Sequence, residues 1–218
     1  NITHLHIAGD ISNDFKHVSQ PFLTRLSNHF HVSFNLGNHD MVGLTETEID
    51  NTDYQLQKIG NRLLLSFSGW YDYSFCPEVS HEQSLKTKNT LWFDRKIRRP
   101  YDDITITNQT LMKLDHILSS LTTAEKETMI IAMHFVPQKS FLMTHPKFTK
   151  FNAFLGSQKF HQLFTKHHIR EVVFGHHHQS YNRIIDNVHY QSNPLGYKRE
   201  WQLVRDFFTK YPEYEHLN

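Results

Sequence analysis

The sequence predicts an α/β domain, and three observations carry that reading. Short apolar runs alternate with segments whose apolar residues recur every three or four positions, the pattern of strands connected by helices. Several of those runs break off into Gly-Asp, Gly-Asn-His-Asp or Gly-His-His-His, so polar loops sit at strand ends, where α/β folds bind ligands. The chain's 218 residues suffice for one domain with a substantial core.

Thr3 to Ala8 alternates polar and aliphatic residues and runs into Gly9-Asp10, as a strand ending in a loop does. Asn13 is a candidate cap for a helix carrying Phe15, Val18, Phe22, Leu23 and Leu26. A second strand, His31 to Leu36, leads into Gly37-Asn38-His39-Asp40. Glu46 to Ile59 reads as a weaker helix ended by Gly60, and Arg62 to Phe67 as a third strand. Tyr71 to Ile106 has no clear periodicity. Thr107 is a candidate cap for a helix with Leu111, Leu114, Leu118 and Leu121 on one face, and the buried strand Thr128 to Met133 ends at His134. Ser157 heads a helix with Phe160, Leu163 and Phe164 inward, before strand Glu171 to Phe174 delivers Gly175-His176-His177-His178. Asn182–Ile185 and Val188–Ser192 flank Asp186-Asn187, a pair suited to a hairpin turn, and Glu200 to Phe208 reads as a closing helix.

Composition narrows the function classes. Lys plus Arg number 23 against 22 Asp plus Glu, a net charge of +1, so no overall basic field calls for nucleic acid or an anionic membrane. Cys76 is the only cysteine, which excludes an intrachain disulfide and a Cys-based metal cluster and points to a reducing, cytoplasmic setting. No apolar stretch approaches the roughly 20 residues of a membrane helix. The unusual quantity is 18 His, the commonest metal-ligating side chain.

Asp10, Asn38 with His39, His134, and His176 with His178 each follow a different strand, so residues distant in sequence can converge on one crevice. Carboxylate and amide oxygens mixed with imidazole nitrogens suit Mn, Fe, Zn or Ni better than Mg. A carboxylate can bridge two cations, which makes Asp10 the candidate bridge.

Through Gly9-Asp10, Gly37-Asn38-His39-Asp40, His134 and Gly175-His176-His177-His178, in that order, the chain resembles the calcineurin-like metallophosphoesterase family. The resemblance spans Ile7 to about Gly196. It implies an αββα sandwich, two mixed sheets flanked by helices, and a phosphoesterase that uses two divalent ions and metal-activated water on phosphomonoesters or phosphodiesters. It further implies that Asp10 bridges the ions, that Asn38, His134 and His176 complete one site, that His178 belongs to the other, and that His39 contacts phosphate or protonates the leaving group. Asp40 would accept the His39 ring proton, and His177, between two ligands, would point away.

The family's first strand supplies an Asp-x-His motif, and this sequence contains none. The expectation is therefore one domain over residues 1–218 lacking its N-terminal metal-binding strand, with the first metal site depleted. The stretch 70–106 forms an insert placed to cap the crevice. There Trp92 and Arg95 are candidate substrate contacts, since aromatic faces stack on nucleobases and Arg pairs with phosphate, although the same side chains suit packing of the insert. Two other function classes stand beside the enzyme. One is a metal-binding scaffold that recruits proteins without turnover, which the retained His39 disfavours. The other is a nucleic-acid-binding module, which lacks a basic face beyond Arg95, Lys96, Arg98 and Arg99.

Overall fold

The computed structural model describes residues 2–197; the helix expected over Glu200–Phe208 lies outside them. Within them are two sheets. Strands β1 (His4–Ala8) and β2 (His31–Asn35) pair in parallel, His4 opposite His31 and Ala8 opposite Asn35. The larger sheet has six strands: β3 (Gln55–Ile59), β4 (Arg62–Phe67), β5 (Met129–Met133), β6 (Glu171–Phe174), β7 (Tyr181–Ile185) and β8 (Val188–Ser192), in the order β3-β4-β5-β6-β8-β7. Its four inner strands run parallel and each edge strand is antiparallel, so it is mixed, whereas the small sheet is purely parallel rather than the second mixed sheet expected.

Helices α1 (Gln20–Leu26), α2 (Glu46–Thr52), α3 (His81–Leu91), α4 (Asp103–Ser120), α5 (Thr123–Glu127) and α6 (Gln158–Lys166) complete the main elements of the described residues. Local chemistry explains their starts. Thr45 with Glu48, Ser80 with Gln83 and Thr122 with Glu125 form reciprocal capping boxes, and Ser157 caps α6. Among the described residues no helix is long and apolar enough to cross a membrane.

Four sequence expectations shift. The Asn13 cap is replaced by Asp14, whose carboxylate accepts the His17 N–H and starts a π-type turn over Phe15–Ser19 ahead of α1. The helix expected over Glu46–Ile59 stops at Thr52, because Tyr54 takes a left-handed φ of 59° and Gln55–Ile59 turns back to pair with β4. The quiet stretch Tyr71–Ile106 holds α3 and the head of α4. Thr107 does not cap α4: Asp102 does, more than a helical turn earlier, while the Thr107 hydroxyl donates to the Tyr71 carbonyl at 2.6 Å in the core. The Asp186-Asn187 hairpin forms as expected, with φ of 47° and 62°.

The core packs against the larger sheet and draws in Trp70, Tyr71, Tyr73 and Phe75 from the 70–106 stretch. The C-terminal ends of β1, β2, β5 and β6 meet where the two sheets adjoin: the His134 Nδ1 donates to the Ala8 carbonyl at 2.8 Å, joining β5 to β1.

Candidate metal centre

Asp10 follows β1 with φ of 58° and His176 follows β6 with φ of 65°. Left-handed backbone at a non-glycine residue is unfavourable by on the order of 1–3 kcal/mol and persists where surrounding structure enforces it. Three glycines clear the space around them. A methyl on Gly9 would stand 2.7 Å from His134 Nδ1, one on Gly37 only 2.1 Å from Asp10 Oδ1, and one on Gly175 2.7 Å from the Ala8 carbonyl.

Asp10, His134 and His176 bring one ligating atom each to within 4.8 Å of one another. Asn38 joins them. Its Oδ1 lies 3.1 Å from both His134 Nε2 and His176 Nδ1, those two nitrogens are 3.1 Å apart, and Asp10 Oδ2 is 3.4 Å from His134 Nε2. Donors sharing one cation at about 2.1 Å stand roughly 3.0–3.4 Å apart in octahedral or tetrahedral geometry. The protonation pattern agrees with that spacing. Because His134 Nδ1 donates to Ala8, the neutral ring has no proton at Nε2, yet Nε2 faces an amide oxygen, a carboxylate oxygen and another ring nitrogen. Convergent lone pairs of this kind fit a divalent cation.

Electrostatics follow from the same cluster. Burial works to raise the Asp10 pKa, but the His134 imidazole, aided by His39 and His176, holds it well below the carboxylate range. Burial alone would lower the His134 pKa, and the Asp10 carboxylate raises it instead. His176 is pushed well below its ordinary value, first by burial and then by the neighbouring His134.

His39 sits half-buried beside the cluster. Its backbone N–H donates to Asp10 Oδ1 at 2.9 Å, which leaves Oδ2 to face His134. Its ring Nδ1 lies 2.6 Å from Asn13 Oδ1; an amide oxygen only accepts, so Nδ1 carries the proton and Nε2 is left for a ligand. The ring stacks on Phe93, centroids 3.8 Å apart and 16° from parallel. Burial lowers the His39 pKa, with Asp10 opposing.

Asp40 does not accept the His39 ring proton. Its fully buried carboxylate takes the backbone N–H groups of Ile11, Ser12 and Gly37 and the Ser19 hydroxyl, so it ties the loop after β1 to the loop after β2. His178 is exposed, lies outside the gathered group, and sets its ring edge-on to Tyr197 at 4.7 Å. His177 points away, its Nδ1 2.9 Å from the Tyr181 hydroxyl. Trp92 packs against Phe151 and Phe154, and the Arg95 guanidinium donates to the Trp92 carbonyl at 2.7 Å.

Two residues of the site carry no sign of their roles in the sequence. Phe93 clamps His39, and Asp94 accepts from Asn38 Nδ2 at 2.6 Å. Burial lifts the Asp94 pKa to about 6, against the opposing pull of the Asn38 and Trp92 hydrogen bonds.

No family model matches the sequence, and no curated protein matches it. Among solved structures, the chain is similar to the crystal structure of a phosphopantetheinyl hydrolase from Mycobacterium tuberculosis. The two share 18% identity at a TM-score of 0.73, with 93% of this chain and 82% of that chain covered. At that identity the likeness is one of fold.

Proposed function

We propose that this chain is a metal-dependent phosphoesterase whose cation is held by Asp10, Asn38, His134 and His176. The observation behind the reading is the convergence of those four donors, from four strand ends, on one point beside His39. The resemblance of the motifs to metallophosphoesterases and the likeness in fold to a phosphopantetheinyl hydrolase support the same class of reaction. Imidazole and oxygen donors together favour Mn, Fe, Zn or Ni.

A divalent cation bound there supplies Lewis-acid polarisation of a phosphoryl oxygen and acidifies water. The chain's own residues do the rest. Ala8 fixes the His134 tautomer so that Nε2 presents its lone pair. Asp10 adds negative charge on one side and holds the His39 backbone on the other. Asn13 keeps the proton of neutral His39 on Nδ1, Phe93 fixes the ring plane, and Nε2 contacts the phosphate or, in the protonated ring, donates to the leaving oxygen. General acid catalysis of this kind contributes about 10²- to 10⁴-fold. A second cation of the pair that the resemblance implies would draw on Asp10 and the outlying His178, so occupancy is expected nearer one ion per chain than two.

The test is metal analysis beside a substrate panel of aryl phosphomonoesters, aryl phosphodiesters, nucleotides and a phosphopantetheine-bearing substrate, each with Mn, Fe, Zn and Ni. Turnover that requires both metal and His39 is the expected result. Metal bound with no turnover on any substrate would move the reading to a non-catalytic scaffold.

A further inference from the structure

The short helical turn after α3 touches the metal centre at three consecutive residues. The Trp92 ring stands edge-on to His176 with centroids 6.2 Å apart, Phe93 stacks on His39, and Asp94 takes the Asn38 amide N–H. Asp94 is wholly buried, and its two oxygens accept from Asn38 Nδ2 at 2.6 Å and Trp92 Nε1 at 3.0 Å.

We infer that Asp94 is a positioning residue of the metal centre, fixing which end of the Asn38 amide faces the cation. The inference rests on the metal-centre reading above. An amide is nearly isosteric with its own flipped form, yet only the oxygen end can ligate a cation; the flipped form would aim N–H groups at it. A carboxylate accepts and never donates while ionised. With Asp94 against the Asn38 side chain, the NH₂ group must face Asp94, and Oδ1 must face His134 and His176, as found. Trp92 in turn holds Asp94 through its second oxygen.

Asp94→Asn breaks that arrangement while keeping the shape. The new amide has one acceptor for two N–H groups. It either turns its NH₂ on Trp92, a clash of donors, or turns it on Asn38 and drives the Asn38 amide to flip. Outer partners of metal ligands typically contribute about 10- to 100-fold in metal affinity.

The experiment titrates the full chain with Co²⁺, following the visible absorption of the bound ion and the calorimetric Kd, with the metal-free melting temperature as a check on folding. Asp94→Asn is expected to weaken Co²⁺ by about 10- to 100-fold. In the Asn38→Asp background the sign should invert. There the amide introduced at position 94 can donate to the carboxylate introduced at position 38, so adding Asp94→Asn tightens Co²⁺ relative to Asn38→Asp alone. Adding Trp92→Phe to Asp94→Asn removes the competing donor and should recover most of the loss. Losses of equal factor in the native and Asn38→Asp backgrounds, or no loss in the native one, overturn the inference and leave the metal centre standing. Failure of the unmutated chain to bind Co²⁺ overturns the metal centre itself, and the inference with it.

Discussion

Gly37→Ala is the substitution whose consequence can be worked most directly from the geometry. The added methyl carbon would lie 2.1 Å from Asp10 Oδ1, 2.4 Å from the Asp10 backbone nitrogen and 2.7 Å from the His134 ring. A carbon and an oxygen in ordinary contact stand roughly 3.2–3.5 Å apart, so the carboxylate must retreat by about 1 Å. It cannot do so and keep its place. Asp10 is held on one side by its left-handed backbone and on the other by the His39 N–H at 2.9 Å. Retreat breaks that charge-assisted hydrogen bond, worth about 1.5–3 kcal/mol, and moves Oδ2 out of the donor cluster. A misplacement of about 1 Å in a reacting centre lowers the rate by about 10²-fold, or roughly 2.7 kcal/mol in transition-state stabilisation.

Gly60→Ala serves as the control, because a methyl there meets nothing within 4 Å and only its φ of 59° opposes the change. It should lower stability by about 1–2 kcal/mol and leave metal binding alone. The assays are metal content after dialysis, kcat/KM on a responsive phosphoester, and the melting temperature of both variants. A Gly37→Ala protein with native metal content and native rate would refute the account of how Asp10 is placed.

Further outcomes are expected. His39→Ala should lower kcat by about 10²- to 10⁴-fold while metal content, read by elemental analysis, stays at the native level. His176→Ala should reduce metal content itself, and chelation should abolish turnover and lower the native melting temperature, since ligand binding to the folded state stabilises it. Phe93→Ala, which frees the His39 ring, should reduce kcat more than it raises KM, and equal changes in both would return Phe93 to plain packing. Burial raises the Asp53 pKa to about 6 in the folded chain, above the unfolded value of 3.8. Its stabilising contribution is therefore full below about pH 4 and lost as pH rises through about 6. Asp53→Asn should accordingly raise stability relative to the native chain at pH 8 by on the order of 1–2 kcal/mol, discounted for the part-exposed side chain, and by little at about pH 3. Denaturant melts at both pH values decide it.

The strands that carry the site were legible because each is an apolar run closed by a contiguous motif, so Asp10, Asn38, His134 and His176 could be placed at strand ends by reading along the chain. Their joint arrival in one cluster follows from the parallel registers of β1 with β2 and of β5 with β6. What escaped was the support around them. Adjacency suggested Asp40 as the partner of His39, but neighbouring side chains on a tight loop diverge, and a buried carboxylate is satisfied best by the loop N–H groups that surround it. The actual partners lie far away in sequence: Asn13 is 26 residues from His39, and Asp94 is 56 from Asn38. No periodicity announces such pairs.

The aromatic density of the 70–106 stretch shows the same limit from the other side. Trp70, Tyr71, Tyr73 and Phe75 are alike in composition to a ligand-stacking surface, yet they are buried in the core, with Arg99 over Trp70 and paired to Glu46. Composition reports that a segment can bury or bind aromatic surface, and only the tertiary fold decides which. Here that decision puts most of the segment into packing and leaves Trp92, Phe93 and Asp94 against His176, His39 and Asn38 of the candidate site. On the proposed function, the segment would bear on the chemistry through the orientation of His39 and Asn38, so its removal should disturb metal affinity and kcat on every substrate alike, instead of changing the preference among them.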